Sequence, residues 1–336
     1  MHTTQDHIDS WYAASTRPHP SYAALRSDVK TDVCVIGGGY TGLSTAIHLR
    51  KQGFEVVVLE ANKVGWGASG RNGGHVGVGQ RAGQAGLEKM VGLETAKALW
   101  QLGLDAVQLV CDLTEEFSID CELGKGNLHV AAKARDARAL QAEAEHLNTG
   151  YGHTQVSYLE PDQVAELTSA QGVHGGILDL ASRHLHPLKY AFGLARAAQQ
   201  LGVQIHEHSP ALRYDDTGHN VDVFSLSGRV TADRLVLACN GYLGKLEQRI
   251  AGNIMPINNF VIATEPLSEA LCARINRDEL SISDTLYVIN YWKLSADRRL
   301  LFGGDENYTS RFPSDIKRFV RPYMLALYPE LQDVAI

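Results

Sequence analysis

The sequence predicts an α/β chain of two domains, one built on a parallel βαβ unit and the other an α+β domain with an antiparallel sheet. Three observations predict it. Within residues 31–61 an apolar run ending in glycines, a helix-patterned stretch and a second apolar run follow one another. From about residue 245 the pattern changes to alternating apolar and polar positions. The length, 336 residues, corresponds to roughly two domains.

Residues 1–30 are polar with a few aromatics (Trp11, Tyr12, Tyr22) and Pro18 and Pro20 as punctuation, which predicts an arm with one short helix. TDVCVIGG (31–38) has the continuous apolar character of a buried parallel strand. Residues 41–53 place Leu43, Ala46, Ile47 and Leu49 at helical spacing and stop at Gly53. FEVVVLEA (54–61) is a second buried strand. Residues 65–86 hold nine glycines in 22 positions and read as loop. Helical periodicity returns over 87–118 and 134–147, the latter as an exposed helix, with a strand between them at 127–133. A turn and short helix are expected at 159–167, a strand in GGILDL, and a helix over 186–202 with proline near its start and glycine at its end. VQIHEHS, VDVFSLSG and RLVLACNG are strand candidates, followed by NNFVIATEP, DTLYVINYW and RRLLFGG in the alternating region.

Composition narrows the function classes. The net charge of −7 and the pI near 6.0 argue against nucleic acid or an anionic membrane as partner, and the basic residues form no stripe. Cys34, Cys111, Cys121, Cys239 and Cys272 are odd in number, widely spaced and without a C-x-x-C, which fits reduced thiols in a cytoplasmic protein. Cys34 and Cys239 fall in apolar runs and read as small buried hydrophobes. The N-terminus lacks the features of a signal peptide, and the apolar runs are strand-length.

Gly37-Gly38-Gly39-Tyr40-Thr41-Gly42 fits G-x-G-x-x-G. Gly37 permits a tight turn, Gly39 lets a diphosphate approach the backbone, and Gly42 lets the helix pack close to the sheet. The helix N-terminus then offers unpaired N–H groups and a positive dipole end. Glu60 closes the second strand, where a carboxylate can accept hydrogen bonds from ribose hydroxyls and would repel a 2′-phosphate. The pattern suits FAD and NAD alike, and its bland reading is a ligand-free glycine turn. In the second glycine-rich segment, GWGASGRNGGHVG (65–77), Arg71 could neutralise phosphate charge and Asn72 could meet a ring edge; a flexible surface loop is the competing reading.

DVCVIGGGYTGLS, VVLEA and GWGASGRNGG, in that order and spacing, resemble the D-amino-acid-oxidase/glycine-oxidase family of flavoproteins, and within it the gamma-glutamylputrescine oxidase-like members. The resemblance continues through LHPLKYAFGLARAAQQLGV, LVLACNGY and RRLLFGG and so covers nearly the whole chain. It implies a Rossmann-type, glutathione-reductase-like FAD-binding domain (31–90 and 150–245) and a substrate domain (91–149 and 246–336). It also implies that the family's C-terminal FAD-contacting segment is missing after Ile336. FAD, bound non-covalently, is the implied cofactor, with Gly37, Gly39, Tyr40, Thr41 and Gly42 at the pyrophosphate and Glu60 and Ala61 at the adenosine ribose. Ser69, Arg71, Asn72, Gly73 and Gly74 would line the flavin and its phosphates; Ala211 would contact adenine, and Asn240 and Gly241 the cofactor chain.

The implied reaction is oxidation of the C–N bond of a small amine, as in polyamine catabolism. Hydride passes to flavin N5, the imine hydrolyses to an aldehyde, and O2 is reduced to H2O2. An amine that arrives neutral needs no general base, so no catalytic residue is assigned. Tyr287, Tyr291, Trp292 and Lys293 are substrate candidates, with Tyr287, Ile289 and Tyr291 on one face of a continuous strand and Trp292 on the other. Core aromatics and a solvated Lys293 are the competing reading, and the resemblance would place arginine where this chain has Lys293. His184 and His186 lack a third ligand at defined spacing, so no metal is expected. His75 is expected in a local hydrogen bond or exposed, rather than covalently linked to flavin. A non-catalytic flavin-binding fragment and a nicotinamide-dependent dehydrogenase are the alternative functions.

Overall fold

The computed structural model describes residues 5–308 and 313–336. The chain forms two compact units, one of Met1–Asn72, Leu113–Cys121 and Pro187–Pro256, the other of Gly73–Asp112, Glu122–His186 and Ile257–Ile336. These boundaries differ from the expected ones: 73–90 and 150–186 fall in the second unit, and the N-terminal arm, 113–121 and 246–256 in the first. The reason is strand pairing. His75–Val76 pairs with the end of Gly176–His184, and that strand pairs with Gly124–Val130, which ties both segments to the second sheet.

Among the described residues, the sheet of the first unit has six strands. Gln204–His206, Val56–Leu59, Val29–Ile36 and Arg229–Leu237 run parallel in that spatial order, and Val221–Phe224 and Arg213–Asp216 extend the edge antiparallel. Val33 to Ile36 and Val56 to Leu59 are all buried, as strands covered on both faces must be. The helix Tyr40–Lys51 buries Leu43, Ala46 and Ile47 and ends in Arg50 and Lys51, whose charges complement the negative end of its dipole. It packs on the helix Pro187–Gln200, where a Cβ at Gly193 would lie 2.1 Å from Ile119 Cγ2. That close fit holds the short Leu113–Cys121 segment in this unit.

In the second unit, again among the described residues, eight strands form one sheet. It is not wholly antiparallel as expected: Ser281–Asp284 runs parallel to Gly124–Val130. More than 150 residues separate the two strands in sequence, so no hairpin constrains their direction. One face carries Leu128, Ile282, Trp292 and Phe302 under Val320 and Met324 of the helix Ile316–Leu327. On the other, Ile177 packs with Trp100, Leu140 and Leu147 from the helices Leu93–Glu116 and Ala134–Tyr151. The 134–151 helix is therefore amphipathic rather than exposed. No helix of the described residues is long and apolar enough to cross a membrane.

The expected strand 284–292 is broken. Asp284 Oδ1 accepts from Leu286 N and Asn290 N (3.1 and 3.0 Å), and its Oδ2 accepts from Asn290 Nδ2 at 2.7 Å. These bonds close a turn, and the strand resumes only at Tyr291–Leu294. Tyr287 is consequently 84% exposed and shares no strand with Tyr291. Trp292 is corrected from substrate candidate to core residue: it is 1% exposed, stacks on Phe302 at 5.6 Å and meets Tyr328 edge-on. Trp292→Ala should therefore cost about 3–5 kcal/mol of stability. Tyr287→Ala should stay within about 0.5 kcal/mol of the parent. Urea unfolding of the two variants reads the difference.

Candidate cofactor-binding site

The glycine turn of the first unit is built by close backbone approaches. Gly37 sits at φ +116°, and a Cβ there would lie 2.5 Å from Ala238 O; at Gly42 it would lie 1.9 Å from Gly37 O. Strand and helix can meet at this distance only without side chains at both positions. A Cβ at Gly39 would stand 2.7 Å from Ser69 Oγ, the hydroxyl that accepts from Tyr40 N at the start of the helix (3.1 Å). Ser69 thus joins the second glycine-rich segment to the first.

Glu60 faces this turn. Its Oε2 accepts from Gly38 N at 2.7 Å and its Oε1 from Asn62 N at 2.8 Å. Desolvation raises its pKa, the two backbone N–H groups act against that shift, and the nearby Glu207 adds to it. The carboxylate is held in place before any sugar reaches it.

A cavity of about 460 Å³ opens beside the turn. Gly37, Gly39, Glu60, Ala61, Ser69, Ala211 and Asn240 line it. The structure adds Trp66, Cys239 and Tyr242 to its wall. Their only sequence signal was adjacency to the glycine-rich segment and to Asn240. Cys239 is therefore more than a buried hydrophobe, and desolvation pushes its thiol up to about 11.

Other expected residues stand elsewhere. The Tyr40 hydroxyl donates to Pro187 O, and its ring packs edge-on against Tyr190. Thr41 is exposed, and Gly42 acts through packing alone. Arg71 lies over the Trp66 ring at 4.5 Å with Nη2 3.4 Å from Tyr242 Oη, so it backs the wall instead of lining it. Asn72 donates to Ala68 O and Ser69 O, which shapes its own loop. Gly241 is outside the lining, with Pro256 beside it.

These features fit a dinucleotide: a cradle that a Cβ would fill, a fixed carboxylate, and a cavity of about 460 Å³ lined by both. The sequence matches the DAO family, described as FAD dependent oxidoreductase, over residues 32–336. The chain belongs to this family. It is 38% identical to the probable oxidoreductase OrdL of Rhizobium meliloti (strain 1021), over 97% of this chain and 76% of that one. It is 36% identical to the gamma-glutamylputrescine oxidoreductase of Escherichia coli (strain K12), over 98% and 78% of the two chains. The fold matches the crystal structure of glycine oxidase from Geobacillus kaustophilus with a TM-score of 0.71 at 18% identity, covering 91% of this chain and 80% of that one. The cofactor of the family is FAD, which sets aside the nicotinamide-dependent reading.

The remaining expected residues belong to the second unit. A Cβ at Gly73 would meet the Tyr291 ring at 2.5 Å, and one at Gly74 (φ +72°) would meet Leu185 O at 2.0 Å. Tyr291 also covers Gly303 and hydrogen-bonds through its hydroxyl to Asn259 Oδ1. Lys293, two residues on along the strand, is 2% exposed and therefore not solvated. His75 meets the Tyr291 ring edge-on at 5.7 Å and pairs across strands with His184. Desolvation first, then Lys293 and His184, push the His75 pKa down to about 3.

Gly39→Val should fill the cradle. We expect the flavin-to-protein ratio to fall at least about tenfold, equivalent to about 1.4 kcal/mol, with far-ultraviolet dichroism unchanged. His75 gives a pH prediction. The folded state keeps it neutral below the ordinary value of 6.5, while the unfolded chain binds the proton. Stability should therefore fall as the pH drops from 6.5 toward 3. His75→Leu should flatten that part of the curve of melting temperature against pH.

Proposed function

We propose that this chain oxidises the C–N bond of a small amine or amino acid, with gamma-glutamylputrescine a leading substrate candidate and O2 as electron acceptor. The observation that carries the reading is the joined arrangement of the Gly37–Gly42 turn, Ser69 and the pinned Glu60 around one cavity. The substrate class draws support from the Escherichia coli relative, whose name is gamma-glutamylputrescine oxidoreductase and which aligns over 98% of this chain.

In this reading Gly37 and Gly39 admit the pyrophosphate to the backbone, the start of the Tyr40–Lys51 helix supplies positive potential, and Glu60 accepts from ribose hydroxyls. Ala61 and Ala211 border the adenosine end, and Asn240 the cofactor chain. Gly73 and Gly74 are assigned to the cofactor's approach through the family resemblance, and their glycine character also serves Tyr291 and Leu185. FAD, when bound, supplies the two-electron acceptor for a hydride leaving the carbon next to nitrogen.

The protein's own part is to bind, orient and exclude water. Tyr291 and Lys293 alternate to the same face of their strand, which makes them the substrate candidates that remain after Trp292 is assigned to the core. Lys293 is buried on that face, and its amino group can meet a substrate carboxylate.

A peroxide-coupled screen of small amines and amino acids on flavin-loaded protein tests the reading. We expect peroxide with at least one primary amine or amino acid. Lys293→Met should lower kcat/KM by at least about tenfold, or about 1.4 kcal/mol. Flavin that remains bound with no turnover across the panel would instead favour the non-catalytic reading.

A further inference from the structure

We propose that the N-terminal arm is a clasp on the cofactor cavity. Gln5, Asp6 and Tyr12 are positioning residues that hold the wall segment 60–72 in its cofactor-bearing shape, and flavin retention depends on them. The proposal rests on the family's cofactor and not on the identity of the substrate, and every residue in it belongs to the first unit.

The argument starts from the wall segment. Glu60, Asn62, Trp66 and Ser69, all within it, line the cavity. Its one regular element is the single turn Ala68–Gly70, and Gly65, Gly67 and Gly70 give it backbone freedom, so contacts from outside must restrict it. The arm supplies such contacts at its start, middle and end. Gln5 N donates to Asn62 Oδ1 at 2.9 Å, Trp66 Nε1 donates to Asp6 O at 3.0 Å, and the Tyr12 hydroxyl donates to Asn72 O at 2.9 Å. The first contact reaches the pinned carboxylate through one residue, because Asn62 N donates to Glu60 Oε1. The second fixes the indole edge, and with it the ring that Arg71 and Tyr242 pack upon.

A terminal segment can hold another only if it is itself tied down. His7 packs edge-on against Phe192 of the helix Pro187–Gln200 at 5.5 Å, and the Phe192 ring is buried. Further along, Tyr22 N donates to Glu207 Oε2 at 3.1 Å and Leu25 N to Ser209 Oγ at 2.9 Å. The Glu207 carboxylate, 1% exposed, also accepts from Val64 N at 2.9 Å and from Lys63 Nζ at 3.0 Å. One buried group therefore grips the arm and the wall segment together through charge-assisted bonds. Gln5 and Asp6, by contrast, are exposed. Their bonds to the wall can open while the buried anchors stay closed, which is the behaviour of a clasp rather than of a core element.

Flavin release tests the proposal, and no step of the test depends on turnover. Flavin-loaded protein is diluted well below its melting temperature and the return of free-flavin fluorescence is timed, beside the melting temperature of the flavin-free chain. A chain without residues 1–9, opened by a new Met before Ser10, keeps the Ser10 cap of the helix Trp11–Ala14. It should release flavin at least about tenfold faster than the full chain. Tyr12→Phe, which shortens nothing and loses one hydroxyl, should release it about threefold faster. Trp66→Phe keeps a ring in the wall and loses the indole N–H. Its effect should be smaller in the shortened chain, where Asp6 is already gone, than in the full one. A purely structural arm would lower the melting temperature and leave release unchanged, and that result would overturn the proposal. So would release at the parent's rate in Tyr12→Phe, or equal effects of Trp66→Phe in the two chains.

Discussion

At the turn between Ile36 and Tyr40, strand and helix approach so closely that a Cβ at Gly42 would overlap the Gly37 carbonyl. Much of the first unit is arranged around that contact. It sets the start of the helix over the end of the strand and turns Gly38 N toward Glu60, while Tyr40 N meets Ser69. The cofactor wall is thus organised by backbone, and side chains enter mainly where they hold backbone in position. Glu60 spends two hydrogen bonds on N–H groups of neighbouring turns, which keeps a desolvated carboxylate in one orientation.

The second glycine-rich segment does two different jobs. Up to Asn72 it belongs to the first unit, where Ser69 caps the helix start and Arg71 braces Trp66 and Tyr242. From Gly73 it belongs to the second, where missing side chains make room for the Tyr291 ring and the Leu185 carbonyl. Glycine density alone does not separate these uses, because clearance for a ligand and clearance for a neighbouring ring leave the same mark in a sequence.

The parallel βαβ unit was legible because both its strands are buried on two faces and its turn needs glycines at fixed offsets. The cavity residues that follow from that motif, Gly37, Gly39 and Glu60, were legible for the same reason. Ala61, Ser69, Ala211 and Asn240 came through family resemblance, since nothing in their local pattern marks them. Trp66, Cys239 and Tyr242 were missed because adjacency to the glycine-rich segment and to Asn240 does not tell which neighbours face the wall. The strand expected across 284–292 failed because Asp284 and Asn290 form a side-chain-closed turn that alternation does not reveal. With it failed the grouping of Tyr287 with Tyr291. The helix Ile316–Leu327 went unseen beneath the alternating pattern around it; it holds Pro322 within its length and buries Val320 and Met324.

The first unit's parallel sheet has a consequence for the order in which the chain can fold. Val29 is the partner of Val230, so the strand Val29–Ile36 acquires its neighbour on that side only after about two hundred further residues have left the ribosome. Until then that edge, apolar from Val33 to Ile36, is unpaired, and the intervening segments of the second unit are synthesised first. Contacts so distant in sequence slow folding and prolong exposure of that edge. Because both units are discontinuous in sequence, neither can be obtained by cutting the gene at a single point.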